Sequence, residues 1–203
     1  MKITVLGTGN IGSTLGRKWA AAGHEVLFGV RDVSAVKVQT LTADTNTTAA
    51  PIPEAIAQGE VIVFAIPGTA VADIISANQT ALNGKIIIDA TNNIRDAVMH
   101  SLPLFRDNLP QAHLFRAFNS LGWENFAEPT IGGQQGDHFY CGDSGEAQTA
   151  VHTLIADIGL RPIYIGGNEQ AAILDNLTRL WFILAVGQGN GRHLAFKTLS
   201  TSL

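Results

Sequence analysis

Met1–Asp32 constrains the chain more than any other stretch. Lys2–Leu6 is a short apolar run with β-branched residues, and glycines follow at Gly7, Gly9 and Gly12. A segment of helical period (Ile11, Leu15, Trp19, Ala22) stops at Gly23, and a second apolar run occupies Glu25–Phe28. The order is strand, glycine-rich turn, helix, strand, within the span of one βαβ unit. The spacing G-x-G-x-x-G gives each glycine a task. Gly7 permits the tight turn, Gly9 lets backbone approach a pyrophosphate, and Gly12 allows close packing of helix on strand. The residues between them, Thr8, Asn10 and Ile11, complete a phosphate-binding loop. There the free N–H groups and positive end of the helix opening near Asn10 would meet the anion.

The rest of the chain continues the alternation. The pattern predicts a helix over Val33–Leu41 and then a loop to Pro51. A helical turn follows at Pro53–Gln58, then a doubly buried strand at Glu60–Ile66. A helix is expected over Thr69–Ser76, a strand at Lys85–Ala90, a helix within Ser101–Asn108 and a strand at His113–Phe118. Next come a short strand near His138–Cys141, a helix Ser144–Ile158 capped by Ser144, and a strand Leu160–Ile165. Asn168 is the expected cap of the longest helix, Glu169–Val186. A glycine-rich loop then leads to a last helix around His193–Leu199. Such alternation specifies an α/β, doubly wound (Rossmann) parallel sheet with a small C-terminal helical region. We assign residues 1–165 to the dinucleotide-binding part and 166–203 to a helical region for dimerisation and the acceptor pocket.

Ligands in doubly wound sheets sit beyond the carboxyl ends of the strands, where strand order reverses. That brings together five loops, at Gly7–Ile11, Val30–Asp32, Ile66–Thr69, Ala90–Asn93 and Asn119–Gly122. The candidate cofactor-binding residues beyond the glycine loop are therefore Val30, Arg31, Ile66, Pro67, Ala90, Thr91, Asn92 and Asn119. Dinucleotide folds that take NAD place a carboxylate at the tip of the second strand, facing the ribose 2′-OH. Here the tip is the uncharged Gly29-Val30, followed by Arg31 and only then Asp32. An arginine at that place suits a 2′-phosphate, which it can grip with two charge-assisted bonds. Lys37 reads as solvated helix surface.

The remaining composition narrows the class. With 203 residues, 46% hydrophobic and 15% charged, the chain has the makings of one well-buried core. A net charge of −4 without a basic block argues against nucleic acid or an anionic membrane as partner. No apolar run is long enough to span a bilayer, and the N-terminus reads as a core strand, so a cytoplasmic protein is expected. Cys141 stands alone and reads as a small buried hydrophobe. His24, His113 and His138 lack metal-ligand spacing and read as structural, so no metal site is expected. Asp89 ends a buried strand, where capping the next loop is its commoner role. No residue is assigned to catalysis. Trp19 and Trp181 fall on apolar helical faces, for core or interface.

Five segments together carry a resemblance: GTGNIGSTLGRKWAAAGHEV, FAIP, AFN at Ala117–Asn119, CGD at Cys141–Asp143, and the ending LRPIYIGG…RLWFILAVGQGNGRHLAFKTL. The chain resembles the coenzyme-F420-dependent NADP oxidoreductase family, related to pyrroline-5-carboxylate reductases and the cytosolic domains of ferric reductases. The resemblance runs nearly end to end. It implies NADP as cofactor and a deazaflavin, F420, lying against the nicotinamide. Hydride would pass ring to ring without a protein acid or base. It also implies pairing through the C-terminal region, hence a homodimer. Archaeal members carry a histidine in the segment where this chain has Asn119, and proline where it has Thr91-Asn92-Asn93. Those loops line the acceptor side, which leaves the acceptor open between F420, an ordinary flavin and another molecule. Two other functions fit the residues: a sensor of NADPH/NADP⁺ without turnover, and an imine reductase. The latter class carries a longer helical C-terminal domain than this chain has room for.

Overall fold

The computed structural model describes residues 1–43 and 45–201; residue 44, within the expected loop before Pro51, lies outside the described residues. The strands are β1 (Lys2–Leu6), β2 (Glu25–Val30), β3 (Thr47–Pro51), β4 (Val61–Phe64), β5 (Ile86–Asp89), β6 (His113–Arg116), β7 (Thr130–Ile131), β8 (Gln134–Gln135), β9 (Asp137–Gly142) and β10 (Arg161–Tyr164). The helices between them are α1 (Asn10–Ala21), α2 (Val36–Ala43), α3 (Ile52–Gln58), α4 (Val71–Leu82), α5 (Leu102–Asn108), α6 (Trp123–Ala127), α7 (Glu146–Asp157) and α8 (Ala171–Phe182).

Eight strands form one sheet in the order β10-β9-β6-β5-β4-β1-β2-β3. β1 to β6 run parallel, as the near-continuous apolar strands imply. β9 pairs antiparallel with β6, and β10 runs parallel to β9, so the last two strands at that end of the sheet run opposite to the other six. Strand order reverses at β1, whose neighbours are β2 and β4, and the crevice above its tip is the switch point of a doubly wound fold.

Helices cover both faces. On one, Leu15 and Trp19 of α1, Val38 of α2 and Leu154 of α7 pack on Val5, Phe28 and Phe115. On the other, Ile56 of α3, Ile75 of α4, Phe105 of α5 and Leu174 of α8 pack on Leu6, Phe64 and Ile87. Trp19 is a core residue, and its indole N–H donates to the Leu154 carbonyl at 2.9 Å. Burying a side chain of that size contributes about 2–3 kcal/mol.

Several elements differ from the sequence expectation. Thr47–Pro51 is a strand rather than loop; it is an edge strand, where a terminal proline forfeits no ladder bond. Ser144 does not cap α7, whose cap position is Gly145 at φ +92°. Asn168 does not cap its helix either; it opens a 3₁₀ turn (Asn168–Gln170), and its amide donates to Asp143. α8 then ends in a π turn over Ile183–Gly187. The expected final helix at His193–Leu199 is an extended tail. It forms a bridge between Phe196 and Asp137 and is anchored by Arg161, which binds the Thr198 carbonyl. β9 pairs with β6 only at its Cys141–Gly142 end, which leaves backbone groups at its start open on that side, and the tail takes one of them: the Asp137 amide donates to the Phe196 carbonyl at 2.9 Å.

Candidate functional site

The site is built on the loop after β1. Gly7 has φ +109°, and a Cβ there would collide with the Ala65 carbonyl of the neighbouring loop. A Cβ on Gly12 would strike the Gly7 carbonyl, so α1 can begin this close to β1 only without one. Gly9 is different. Its backbone is extended, and a Cβ would meet nothing within 4 Å. Two glycines are needed by the fold, while the third leaves an open face. No side chain caps α1, so the N–H groups at Asn10, Ile11 and Gly12 are left for an anion. That is the arrangement a dinucleotide pyrophosphate requires.

From this loop a cleft of about 670 Å³ extends over the tips of β1, β2 and β4. Gly7, Thr8, Gly9, Val30, Arg31, Ile66 and Pro67 all line it, as expected from sequence. Ala35, Val38, Ile52 and Ile74 add apolar walls that the sequence reading did not single out. The volume is that of a small-molecule site. Arg31 is exposed on the cleft, and no ion pair or hydrogen bond holds its side chain among the described residues. Asp32 also lines the cleft, with one carboxylate oxygen turned back on its own loop. Its Oδ1 accepts from the Ser34 amide at 2.8 Å and the Ser34 hydroxyl at 2.6 Å, which holds the carboxyl below its ordinary range. Lys37 lies outside the lining, as solvated surface.

Asn10, Ile11 and Gly12, in the first turn of α1, are not among the residues lining this cleft, and Ala90, Thr91, Asn92 and Asn119 lie beyond the tips of β5 and β6, away from it. Ala90, Thr91 and Asn119 are buried, and Asn92 is half-buried. Asp89 caps the loop: Oδ1 accepts from the Thr91 amide (3.0 Å) and hydroxyl (2.7 Å), and Oδ2 accepts from the Ser101 amide (2.6 Å). Behind it stands Arg116, fully buried, which sequence reasoning overlooked. Its guanidinium donates to the Asp89 and Thr91 carbonyls, to Asn92 Oδ1 at 2.8 Å and to Asp175 Oδ1 at 2.9 Å. Asp175 also accepts the Met99 amide at 2.8 Å. Asn92 in turn donates to the Asn119 carbonyl, and Asn119 donates to Thr178 Oγ1 at 2.9 Å. One buried cation, two buried carboxylates and four amide or hydroxyl side chains thus tie β5, β6 and α8 together. A charged residue at the end of each apolar run, and Asp175 on the buried face of α8, were the available signals.

Phe118 adds strain at the same edge. It is the one non-glycine residue with positive φ (+60°) among the described residues. Its amide donates to His138 Nε2 at 2.7 Å, and the two rings stack at 4.9 Å. Burial pushes the His138 imidazole down to about 3, so it is a neutral acceptor and, as expected, a structural histidine. Cys141 is free, and burial pushes its thiol up to about 12, which removes it as a nucleophile. No group of metal-ligating side chains occurs among the described residues, and no helix there is long and apolar enough to cross a membrane.

Comparison with known proteins agrees with the glycine cleft. Residues 2–93 match the family described as NADP oxidoreductase, coenzyme F420-dependent. This chain is similar to the F420-dependent NADP reductase of Methanothermobacter marburgensis, at 29% identity over 89% of this chain and 90% of that protein. The reductase of Methanothermobacter thermautotrophicus is 28% identical over 89% and 87%. Among solved structures, one from Arthrobacter sp. FB24, given provisionally as an F420-dependent NADP reductase, matches with a TM-score of 0.86. It is 25% identical and covers 98% of this chain and 100% of that one. A reductive aminase from Aspergillus terreus in complex with NADPH matches at a TM-score of 0.70 and 24% identity. That match covers 93% of this chain and 63% of the aminase, and it speaks to the fold alone.

Proposed function

We propose that this chain is an NADP(H)-dependent oxidoreductase that moves hydride between the nicotinamide and a flat redox ring of the F420 or flavin type. One observation carries the cofactor choice. At the tip of β2 the carboxylate is bonded back to Ser34 while the guanidinium of Arg31 stands free on the cleft. A ribose 2′-OH needs an acceptor at that place, and a 2′-phosphate needs a donor with positive charge. The curated relatives named F420-dependent NADP reductases support the same reading.

Each part of the chain then has its role. Gly7–Gly12 cradle the pyrophosphate, Val30 and Arg31 hold the adenosine ribose and its 2′-phosphate, and Ile66 and Pro67 floor the crossing towards the nicotinamide. When bound, the nicotinamide supplies or accepts the hydride. Ala90, Thr91, Asn92 and Asn119 shape the far wall, held there by Arg116. No side chain is required to move a proton, because transfer between two rings needs none. Residues 166–203 close the acceptor side and pair two copies of the chain in the cytoplasm.

Binding titrations test the cofactor. NADPH should bind at least about tenfold more tightly than NADH, the scale of one charged contact. Arg31→Ala should erase most of that difference and leave NADH affinity nearly unchanged. Equal binding of the two by wild type would refute the assignment of Arg31. Aerobic NADPH oxidation with FMN, FAD, riboflavin and F420 in turn identifies the acceptor. Tight NADPH binding with no turnover on any of them would favour a sensor instead.

A further inference from the structure

The cleft that receives a dinucleotide with three phosphate groups also contains an unneutralised carboxylate. Asp73, in the first turn of α4, lines it alongside Thr69, Ala70 and Ile74. Its side chain is exposed, and no ion pair or hydrogen bond holds it among the described residues. A carboxylate beside phosphates is repulsive, so its place in this cleft calls for a donor on the ligand. The topology says which part of the ligand it faces. β2 and β4 flank β1, so the start of α4 stands across the crevice from the Val30–Ala35 segment that follows β2. Val38, Ile52 and Ile74 also line the cleft and give it apolar walls suited to a flat base. With the pyrophosphate assigned to the glycine loop and the 2′-phosphate to Arg31, the part of the ligand left for the Asp73 side of the cleft is the base. A carboxylate can only accept, and the hydrogen-bond donor on an adenine ring is its exocyclic amino group.

We propose that Asp73 selects the purine, accepting a hydrogen bond from the adenine 6-amino group and disfavouring a 6-oxo purine, whose oxygen would face the carboxylate. The inference rests on the NADP(H) reading above. It adds a base-reading residue to a cleft otherwise described by its phosphate and ribose contacts.

Competitive titration with NADPH and its hypoxanthine analogue, which differs at the 6-position, tests it. Wild type should bind NADPH about tenfold more tightly than the analogue. Asp73→Ala should bring the two within about twofold, while the preference of NADPH over NADH, which reports on Arg31, stays as in wild type. Asp73 is exposed, so the variant is expected to fold, and an unchanged thermal midpoint checks this. The proposal is overturned if wild type binds both purines equally or if Asp73→Ala keeps the gap. It is equally overturned if the variant shifts both affinities alike, which would mark a helix-end or charge-repulsion role. If wild type binds neither dinucleotide, the cofactor reading fails and this one with it. If it binds NADPH tightly without purine preference, only the assignment of Asp73 fails.

Discussion

Gly9 and Gly12 lack a side chain for opposite reasons. At Gly12 a Cβ would strike the Gly7 carbonyl, so even alanine must push α1 off β1. At Gly9 nothing stands within 4 Å and the backbone is extended, so the fold tolerates a side chain and the ligand does not. Gly9→Val should therefore keep the thermal midpoint of the wild type and abolish NADPH binding. Normal NADPH binding by that variant would refute the glycine-loop reading. The sequence spacing showed that these glycines matter; only coordinates separate packing from ligand access. His138 shows the same division. Its structural role was legible from the lack of metal spacing, but not that it fixes Phe118 at φ +60°, since a left-handed turn at phenylalanine leaves no mark in the sequence. The consequence is a pH dependence. Burial lowers the folded pKa to about 3 from an ordinary 6.5, so the unfolded chain takes up a proton first as pH falls. The stabilisation by neutral His138 is full above about pH 6.5 and declines below it, by about 1.4 kcal/mol per pH unit. His138→Gln keeps an acceptor for the Phe118 amide and should flatten that slope in urea melts between pH 6.5 and 4. An unchanged slope would mean that His138 is protonated in the folded protein.

At the scale of elements, what was readable and what was not follows from how each element is stabilised. The central strands are buried on both faces, so β4, β5 and β6 appear as apolar runs that nothing but a covered parallel sheet explains. Thr47–Pro51 has no such run, because an edge strand needs only backbone partners on one side. The sequence predicts a helix around His193–Leu199, yet the conformation of the tail is set by its contacts with β9 and β10. Asp137 accepts two bonds from Arg161, at 2.7 and 2.6 Å, and the Thr198 amide, with Lys197 at 3.4 Å. Burial alone would raise this carboxyl, but those donors hold it below its ordinary 3.8. A depressed carboxylate pKa contributes stability above the unfolded value and loses it as pH falls through the folded one. The hold on the tail should therefore begin to weaken as pH falls below the ordinary 3.8 and be lost at still lower pH, and it should be lost at higher pH in Arg161→Ala. The indole N–H resonance of Trp181, which donates to the Leu194 carbonyl, reports it. If that signal is unmoved in Arg161→Ala at neutral pH and in wild-type protein at pH 3, the Asp137 cluster does not hold the tail.

At the scale of the whole molecule, an apolar surface on α8 is left uncovered among the described residues. The apolar helical face that carries Trp181, together with the implied pairing through the C-terminal region, would put Trp181 at a subunit interface. Trp181 is instead buried, bonded to Leu194 and covered by the Arg192 guanidinium, 5.3 Å from its ring. The tail thus covers the Trp181 side of the helix without being helical. The residues it does not cover are Ile173, Leu180, Ile183 and Val186, each more than two-fifths exposed. Ile173 and Leu180 are two turns apart on one stripe, which Ile183 and Val186 prolong into the π turn. Beside them runs the loop carrying Ile94 and Val98, also exposed and joined to α8 by Arg179 through the Asp96 and Ala97 carbonyls. An apolar surface of this kind, built on a single rigid helix, suits isologous pairing of two copies about a two-fold axis, the commonest oligomer. It also adjoins the Arg116–Asp175 network, so a partner copy would stand next to the proposed acceptor side. Sedimentation equilibrium at micromolar concentration should give twice the 21.5 kDa chain mass, and a single 21.5 kDa species would refute the dimer. Leu180→Glu with Ile183→Glu should yield a monomer that still binds NADPH, since neither residue lines its cleft, but that reduces the acceptor more slowly. A dimer that survives both substitutions would place the interface elsewhere.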